Sequence, residues 1–269
     1  MSAAQFVRIK EKVCVMENIL SCRPASYGPH QSVAYDHLAE IGVKHVELPI
    51  PAPDKVDEAL KQLERRGLSA ATSQGRLDIQ NPNIAQEFEQ TAQITRQLGA
   101  QLIFVSVNAG ALKRSEAYAR LRAVGDVCAR HGVTVVMETH PDMITNGTVA
   151  RQTMQGVNHP NIRVNWDTAN VYFYNEGIDG VEEMNKTVEY ISAVHLKDTS
   201  GGYREWYFPA LGEGVVDFPK VFRTLNARGF YGPFTMELEG IQGENLTEEG
   251  AKERVASSVR YLRSIGVLG

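Results

Sequence analysis

The sequence has few cysteines, and they do not form a recognisable pair. Its 269 residues include three, Cys14, Cys22 and Cys128, with no CxxC spacing among them. In a secreted protein an odd set would leave one thiol unpaired, so a reducing, cytoplasmic location is predicted. Cys14 and Cys128 lie in apolar stretches and are predicted to be small buried packing residues.

Two further absences exclude whole classes of partner. The chain has 28 Lys and Arg against 32 Asp and Glu, a formal charge of −4, so no basic footprint for nucleic acid or anionic lipid is visible. No apolar run approaches the roughly 20 residues that a membrane-crossing helix needs. Residues 1–12 lack the apolar core of a signal peptide. We therefore expect a small-molecule partner, with neither nucleic acid nor membrane involved.

What the sequence does contain is an alternation of short apolar stretches with longer amphipathic ones. The short stretches are nearly continuous in apolar character, which is typical of strands covered on both faces; they are residues 13–17, 45–48, 68–72, 102–107, 133–138, 163–167, 193–196 and 235–238. The stretches between them predict helices at 56–66, 83–98, 115–131, 145–156, 181–190, 218–227 and 247–264. Predicted N-caps are Ser115 and Thr247, and predicted glycine C-caps are Gly67, Gly99, Gly132 and Gly229.

Eight strands alternating with helices fit either a closed barrel or an open doubly wound sheet. An open dinucleotide-binding sheet usually carries a Gly-rich turn after its first strand. The turn predicted here, residues 21–27, contains Pro24 and no GxGxxG. The length suits a TIM barrel of roughly 250 residues, and no linker or composition shift divides the chain. We predict an α/β protein with one domain over residues 1–269, a single (β/α)8 TIM barrel.

The last four predicted strands each place an ionisable residue at the same height: Glu138, Asp167, His195 and Glu237. The C-terminal ends of the strands form one rim, where TIM barrels gather their chemistry. Three carboxylates close together repel one another unless a cation neutralises them. A mixed nitrogen and oxygen set suits Mn²⁺, Mg²⁺, Co²⁺ or Zn²⁺. The sequence predicts one divalent metal ion, with manganese preferred; the alternative is that some of these residues are salt-bridge partners or lie in solvated loops.

The motifs around these residues resemble those of a known family. They are METH at 137–140, NWDTAN at 165–170, VHLKD at 194–198, LGEGVVDF at 211–218 and GPFTMELEG at 232–240. Together they resemble the xylose-isomerase-like TIM barrels, in particular the sugar phosphate isomerase/epimerase group with its ketose 3-epimerases, inosose dehydratases and hydroxypyruvate isomerases. The resemblance implies that Glu138, Asp167, His195 and Glu237 bind the metal. It also implies that Glu138 and Glu237 act as the two acid/base groups.

Three details qualify the match. Glu239 competes with Glu237 on the last strand, and Glu237 is preferred because it lies at the depth of the other three residues. Asn170 stands where many family members have a histidine. Asn108 follows the fourth strand, and no histidine lies near residues 72–76, unlike the related three-zinc apurinic-site endonucleases. One metal ion is therefore predicted, and a role in DNA repair is not.

The resemblance implies a metal-dependent isomerase or epimerase that acts on a ketose or keto-sugar derivative through an enediolate. The alternatives are a metal-dependent dehydratase or lyase of an oxidised sugar or cyclitol, and a non-catalytic sugar-binding barrel. No Gly-rich phosphate-cradling loop is evident, which favours an unphosphorylated substrate.

Further residues are predicted to surround the substrate; they are His140, Asn170, Lys197, Arg204 and Trp206. His140 has the alternative of a surface loop position, and Lys197 that of an ion pair with Asp198. Glu47, at the end of the second strand, is expected to support the barrel rim. Tyr27, Tyr172, Phe173 and Tyr174 are candidates for the wall of the pocket. The three that lie beside Asn170 have the alternative of forming a homo-oligomer interface.

Overall fold

The computed structural model describes residues 16–268, in which eight parallel strands form a closed barrel. The strands, β1 to β8, are Leu20–Cys22, His45–Pro49, Ser69–Gln74, Leu102–Val105, Thr134–Glu138, Ile162–Asp167, Ile191–Leu196 and Phe234–Met236. Hydrogen bonds between β1 and β8 close the barrel, with Leu20 opposite Phe234 and Cys22 opposite Met236. The predicted (β/α)8 barrel is confirmed.

The first strand was predicted in the wrong place. Residues 13–15, and Cys14 with them, lie outside the described part of the chain, and Met16 and Glu17 belong to no strand. The run at residues 13–16 is more apolar than Leu20–Cys22, which contains Ser21, so hydrophobicity alone favoured the wrong segment. Arg23 directly follows β1 and therefore lies at the C-terminal end of a barrel strand, where the site is expected.

In residues 16–268 a one-turn helix, Asn170–Phe173, lies directly after β6, and eight longer helices, α1 to α8, follow the strands. They are Ala34–Glu40, Val56–Glu64, Ile84–Gln97, Arg114–His131, Gly147–Val157, Gly180–Thr187, Phe218–Asn226 and Glu248–Ser264. The sequence did not predict α1, which is short and is preceded by the 3-10 segment Pro24–Val33. Within residues 16–268 no helix is long and apolar enough to cross a membrane.

The predicted helix ends are mostly confirmed. All four predicted C-cap glycines have positive φ, between 65° and 82°, a conformation that glycine adopts without steric cost. The side chain of Thr247 accepts a hydrogen bond from the Gly250 amide and caps α8. The prediction for Ser115 was wrong: α4 begins at Arg114, and its N-cap is Lys113.

The barrel interior changes from apolar to polar toward the C-terminal ends of the strands. Phe104, Val136 and Ala193 pack together inside it, separately from the large core between sheet and helices. Val136 and Ala193 precede Glu138 and His195 by two residues, so strand alternation puts them on the same face one layer deeper. Above the mouth, Tyr207–Phe208 in the loop after β7 pairs antiparallel with Gly240–Ile241 after β8.

Candidate metal centre and active-site cleft

The four rim residues predicted to converge lie together at the mouth of the barrel. β5 and β6 end at Glu138 and Asp167, His195 is the penultimate residue of β7, and Glu237 follows β8 directly. All four are buried, and one ligand-type atom from each lies within 4.8 Å of the others. We call this group the rim cluster. Its residues suit a divalent cation in number and donor type, and their role as ligands stays a prediction.

Asp167 carries an oxygen that protein hydrogen bonds leave unsatisfied. Its Oδ1 accepts from the backbone amides of Ala169 and Asn170, each at 2.8 Å. Its Oδ2 is buried and has no hydrogen-bond partner, although Lys197 Nζ lies 3.0 Å away. The Lys197 ammonium compensates part of the cost of burying this oxygen, and acceptor capacity is left for a further cation. The donor set of the rim cluster therefore fits a metal ion.

His195 turns one ring nitrogen toward the rim cluster and the other toward Glu47. Its Nδ1 lies 3.0 Å from Glu237 Oε2 and 3.7 Å from Glu138 Oε1, whereas Nε2 lies 3.2 Å from Glu47 Oε1. Burial alone lowers the pKa of His195, but the Glu47 charge and the Glu138 hydrogen bond outweigh it and raise the pKa. Nδ1 is therefore the nitrogen available to a cation, and Glu47 fixes the ring from behind.

Glu47 and Arg23 connect the first two strands to the rim cluster. Glu47 is 2% exposed and accepts a hydrogen bond of 2.7 Å from Thr72 Oγ1. Arg23 forms an ion pair with Glu237, and its Nε lies 3.5 Å from Glu47 Oε1. Glu47 was expected to support the rim; it does so through His195. Arg23 was missed because β1 was misplaced, and the only signal for it is a cation immediately after a strand.

Lys197 Nζ lies among four oxygen atoms of the site. They belong to Asp167 at 3.0 Å, Glu237 and Glu239 at 2.8 Å each, and Asn170 at 3.1 Å. Burial lowers the pKa of Lys197, but the charges of Asp167, Glu239 and Glu138 outweigh it and raise the pKa. The alternative of an ion pair with Asp198 was wrong. Glu239 contacts Lys197 and lies outside the rim cluster, which agrees with the preference for Glu237.

Glu138 is held as a carboxylate by its neighbours. Burial raises its pKa, but the hydrogen bond and charge of His195, the charge of Lys197 and the hydrogen bond from Ser106 hold it at about 2. Asn170 Nδ2 lies 3.5 Å from Glu138 Oε1. Ser106, which follows β4, was not among the predicted residues because a lone serine after a strand carries no distinctive signal.

A cleft of about 310 Å³ opens above the rim cluster, a volume suited to a small sugar. One wall is aromatic: the Trp206 and Phe208 ring centroids are 5.1 Å apart, and Phe173 lies 6.0 Å from Trp206. His140 and Tyr174 complete it, with ring centroids 4.9 Å apart. Apolar rings of this kind stack on the C–H face of a sugar.

Three of the predicted residues do not line the cleft. Arg204 is exposed, with its guanidinium carbon 5.2 Å from the Tyr203 ring centroid. Tyr172 accepts a hydrogen bond from the Gly180 amide at 3.0 Å, and Tyr27 lines a neighbouring cavity. The structure thus brings His140, Asn170, Lys197 and Trp206 to the cleft, and leaves Arg204 outside it.

The LGEG stretch at 211–214 encloses another buried carboxylate, that of Asp198. Its Oδ2 accepts from the amides of Gly212 and Gly214, each at 2.9 Å. Its Oδ1 accepts from Thr199 and Val216. Gly212 has φ +91°, and a Cβ on Gly214 would lie 2.3 Å from Asp198 Oδ1. Both glycines are therefore required by this carboxylate, and we call the arrangement the Asp198 nest.

The fold and the rim cluster together define the class: a parallel TIM barrel whose last four strands bring three carboxylates and a histidine together at the mouth. The family model described as xylose isomerase-like TIM barrel matches residues 35–265. The chain belongs to this family.

The relatives with similar sequences or structures include a sugar-phosphate epimerase and a probable dehydratase. The chain is 32% identical over 131 residues to L-ribulose-5-phosphate 3-epimerase UlaE of Salmonella typhi. The match covers 48% of this chain and only 44% of that protein. Among solved structures, a probable 3-DHS dehydratase, AsbF of Bacillus anthracis, is 18% identical with a TM-score of 0.71, covering 92% of this chain and 99% of its own. The IOLI protein, solved with a binding zinc atom, is 16% identical with a TM-score of 0.74, covering 94% and 99%. At these identities, the two structures support the fold alone.

Proposed function

We propose that this protein is a divalent-metal-dependent isomerase or epimerase of a ketose or keto-sugar derivative. The observation that carries the proposal is the buried rim cluster, in which Glu138, Asp167, His195 and Glu237 converge below a sugar-sized cleft. The epimerase name of the relative that matches 48% of the chain supports the same chemistry. Manganese is the proposed ion, and the zinc bound by the IOLI protein makes zinc the second choice.

The rim residues have distinct proposed roles. Glu138, Asp167, Glu237 and His195 Nδ1 hold the ion, which when bound supplies a Lewis acid to the carbonyl of the substrate. Glu138 and Glu237 remove a proton from carbon and return it. A carboxylate with a pKa near 2 is a weak base; Glu138 therefore acts only when substrate binding loosens its contacts with His195 and Ser106.

The cleft walls have the task of positioning the sugar. Lys197 places a permanent ammonium beside the carboxylates, where it stabilises the negative charge of an enediolate. Asn170 and His140 offer hydrogen bonds to hydroxyl groups, and Trp206 stacks on the apolar face of the sugar. Return of the proton to the opposite face gives the epimer, and return to the neighbouring carbon gives the isomer.

A dehydratase is the second candidate, because the fold match includes a probable dehydratase and the same deprotonated intermediate leads to loss of a β-hydroxyl. A cytoplasmic location and a homo-oligomeric state remain predictions of the sequence.

The test is hydrogen exchange in deuterated water. Protein loaded with Mn²⁺, and separately with Zn²⁺, Co²⁺ or Mg²⁺, is incubated with ketoses, keto-acids and inososes, and solvent deuterium on carbon is followed by NMR. We expect exchange together with formation of an epimer or isomer, and loss of both after chelation and dialysis. An unsaturated product selects the dehydratase. Binding without any exchange contradicts both enzymes and leaves a sugar-binding barrel.

A further inference from the structure

A second cavity, here called the side pocket, adjoins the cleft. Its volume is about 340 Å³, and it lies between the 3-10 segment after β1 and the start of α8. Arg23, Trp206, Glu237 and Glu239 line both cavities. A substrate whose carbonyl end lies at the rim cluster therefore has the side pocket open to its other end.

The cations that line the side pocket are already neutralised. Arg254 forms an ion pair with Glu244, and Arg23 forms one with Glu237. Counting Glu239 as well, the lining carries three carboxylates against two guanidinium groups. With each group in its usual ionised state, the net charge of the lining is −1. Lys197 of the cleft contacts Glu239 and Glu237, but it is shared with Asp167 as a third carboxylate and does not line the side pocket.

Phosphate groups are commonly bound by backbone amides of glycine-rich loops and of helix N-termini. In this protein the corresponding amides already have acceptors within the chain. The Asp198 nest fills the LGEG loop with the chain's own carboxylate. Near the side pocket, Thr247 caps the N-terminus of α8, whose first turn carries Glu248 and Glu249. In the described part of the chain, neither cavity presents the unpaired cation or free amide nest that a phosphate group requires.

We propose that the side pocket receives the hydroxylated end of an uncharged sugar, and that it disfavours a phosphate ester at that end. The inference rests on the proposed function, since it places the carbonyl end at the rim cluster. A phosphate dianion entering this lining would meet a like charge without a free partner. Hydroxyl groups, by contrast, both donate to Glu239 and Glu244 and accept from Arg254. The chain would thus differ from its relative UlaE, whose name specifies a 5-phosphate.

The test compares matched pairs of substrates. D- and L-ribulose and D- and L-xylulose, each with its 5-phosphate, are titrated calorimetrically against metal-loaded protein, and exchange rates are measured in parallel. We expect the best free pentulose to bind at least about tenfold more tightly than its ester, a difference of roughly 1.4 kcal/mol.

A variant tests whether the side pocket is the part of the protein that distinguishes the free sugar from its phosphate ester. Glu244→Gln leaves Arg254 without its carboxylate partner, so the preference is expected to move toward the ester by about fivefold. The matched control is Glu253→Gln on α8, the helix that carries Arg254, because Glu253 forms an exposed ion pair with Arg260 and its loss changes the net charge equally. No shift is expected in this control.

The outcomes separate the two proposals. An ester that binds as well as the free sugar overturns the inference, as does an unchanged preference in Glu244→Gln or failure of every pair to bind. Preferential binding of the free sugar without exchange supports the side pocket and contradicts only the proposed enzyme.

Discussion

Asp167 at the end of β6 and Asp198 just after β7 are both buried carboxylates, and they differ in how their charge is satisfied. Asp198 accepts four backbone hydrogen bonds, two on each oxygen. Asp167 accepts two, both on Oδ1, and keeps Oδ2 free of hydrogen bonds. The nest is complete without any further group, whereas the rim cluster leaves acceptor capacity for a cation. Burial of an acidic residue therefore does not by itself indicate a metal site, since Asp198 is as deeply buried as Asp167. The convergence of three carboxylates and an imidazole in the rim cluster is what indicates a candidate site.

The largest expected effect follows from neutralising the rim carboxylates that move protons. Glu138→Gln and Glu237→Gln keep the side-chain volume and remove the basic oxygen. Each is expected to lower deuterium exchange by about 10³-fold, within the range typical of lost acid–base catalysis. Exchange is measured by NMR, metal content by elemental analysis and fold by circular dichroism.

The control is Glu87→Gln, an exposed glutamate on α3, which is expected to match the unmodified protein. Retained exchange in Glu138→Gln or in Glu237→Gln would remove that residue from its proposed role.

Replacing each of the two aspartates by asparagine tests whether Asp198 stabilises the fold and Asp167 binds the metal. In Asp198→Asn the amide nitrogen faces two backbone N–H donors, so a lower free energy of unfolding, by about 2–3 kcal/mol, is expected. In Asp167→Asn the buried Lys197 loses one carboxylate partner but keeps Glu237 and Glu239, and the asparagine oxygen keeps both backbone hydrogen bonds, so the loss of stability in the metal-free protein is expected to be smaller than in Asp198→Asn. Its metal affinity is expected to fall instead.

Guanidinium denaturation of chelated protein and calorimetric metal titration measure the two effects. Asp57→Asn, an exposed position on α2, is the matched control and is expected to stay within about 0.5 kcal/mol. If both variants lose mainly stability, or both lose mainly metal affinity, the proposed difference between the Asp198 nest and the rim cluster is wrong.

The sequence predicted the rim cluster because strand ends are visible as apolar runs and TIM barrels bring those ends together. Glu138, Asp167, His195 and Glu237 are each adjacent to such a run. Arg23 could not be found in this way, since the apolar run at residues 13–16 hid the three-residue strand that precedes it.

The loops were the least predictable part of the molecule. LGEG was recognised only as a family motif, because its partner Asp198 lies 14 residues before Gly212 in the chain. Arg204 and Trp206 belong to one loop, yet only Trp206 lines the cleft. Hydrophobic periodicity carries no information on loop conformation, which is set by long-range contacts such as the pairing of Tyr207–Phe208 with Gly240–Ile241.

The smallest expected effect concerns Glu47, which lies behind the rim cluster. Glu47→Gln retains an acceptor for His195 Nε2 and for Thr72, but removes the negative charge that raises the pKa of His195 and faces Arg23. Carboxylates that orient a metal-bound histidine typically contribute 10- to 100-fold to metal affinity. We expect the conservative change to weaken Mn²⁺ or Zn²⁺ binding by about tenfold, roughly 1.4 kcal/mol.

Two measurements distinguish the possible roles of Glu47. Calorimetric titration with metal reports on its orientation of His195, and denaturation of the chelated protein reports on its support of the barrel. If Glu47 only filled space at the rim, the isosteric change would leave the metal dissociation constant as it is and alter at most the unfolding free energy. Thr72→Val is the matched comparison, because it removes the hydroxyl that donates to Glu47 and leaves the charge facing His195. A metal affinity lowered equally by both changes would mean that the position of Glu47, not its charge, acts on the histidine.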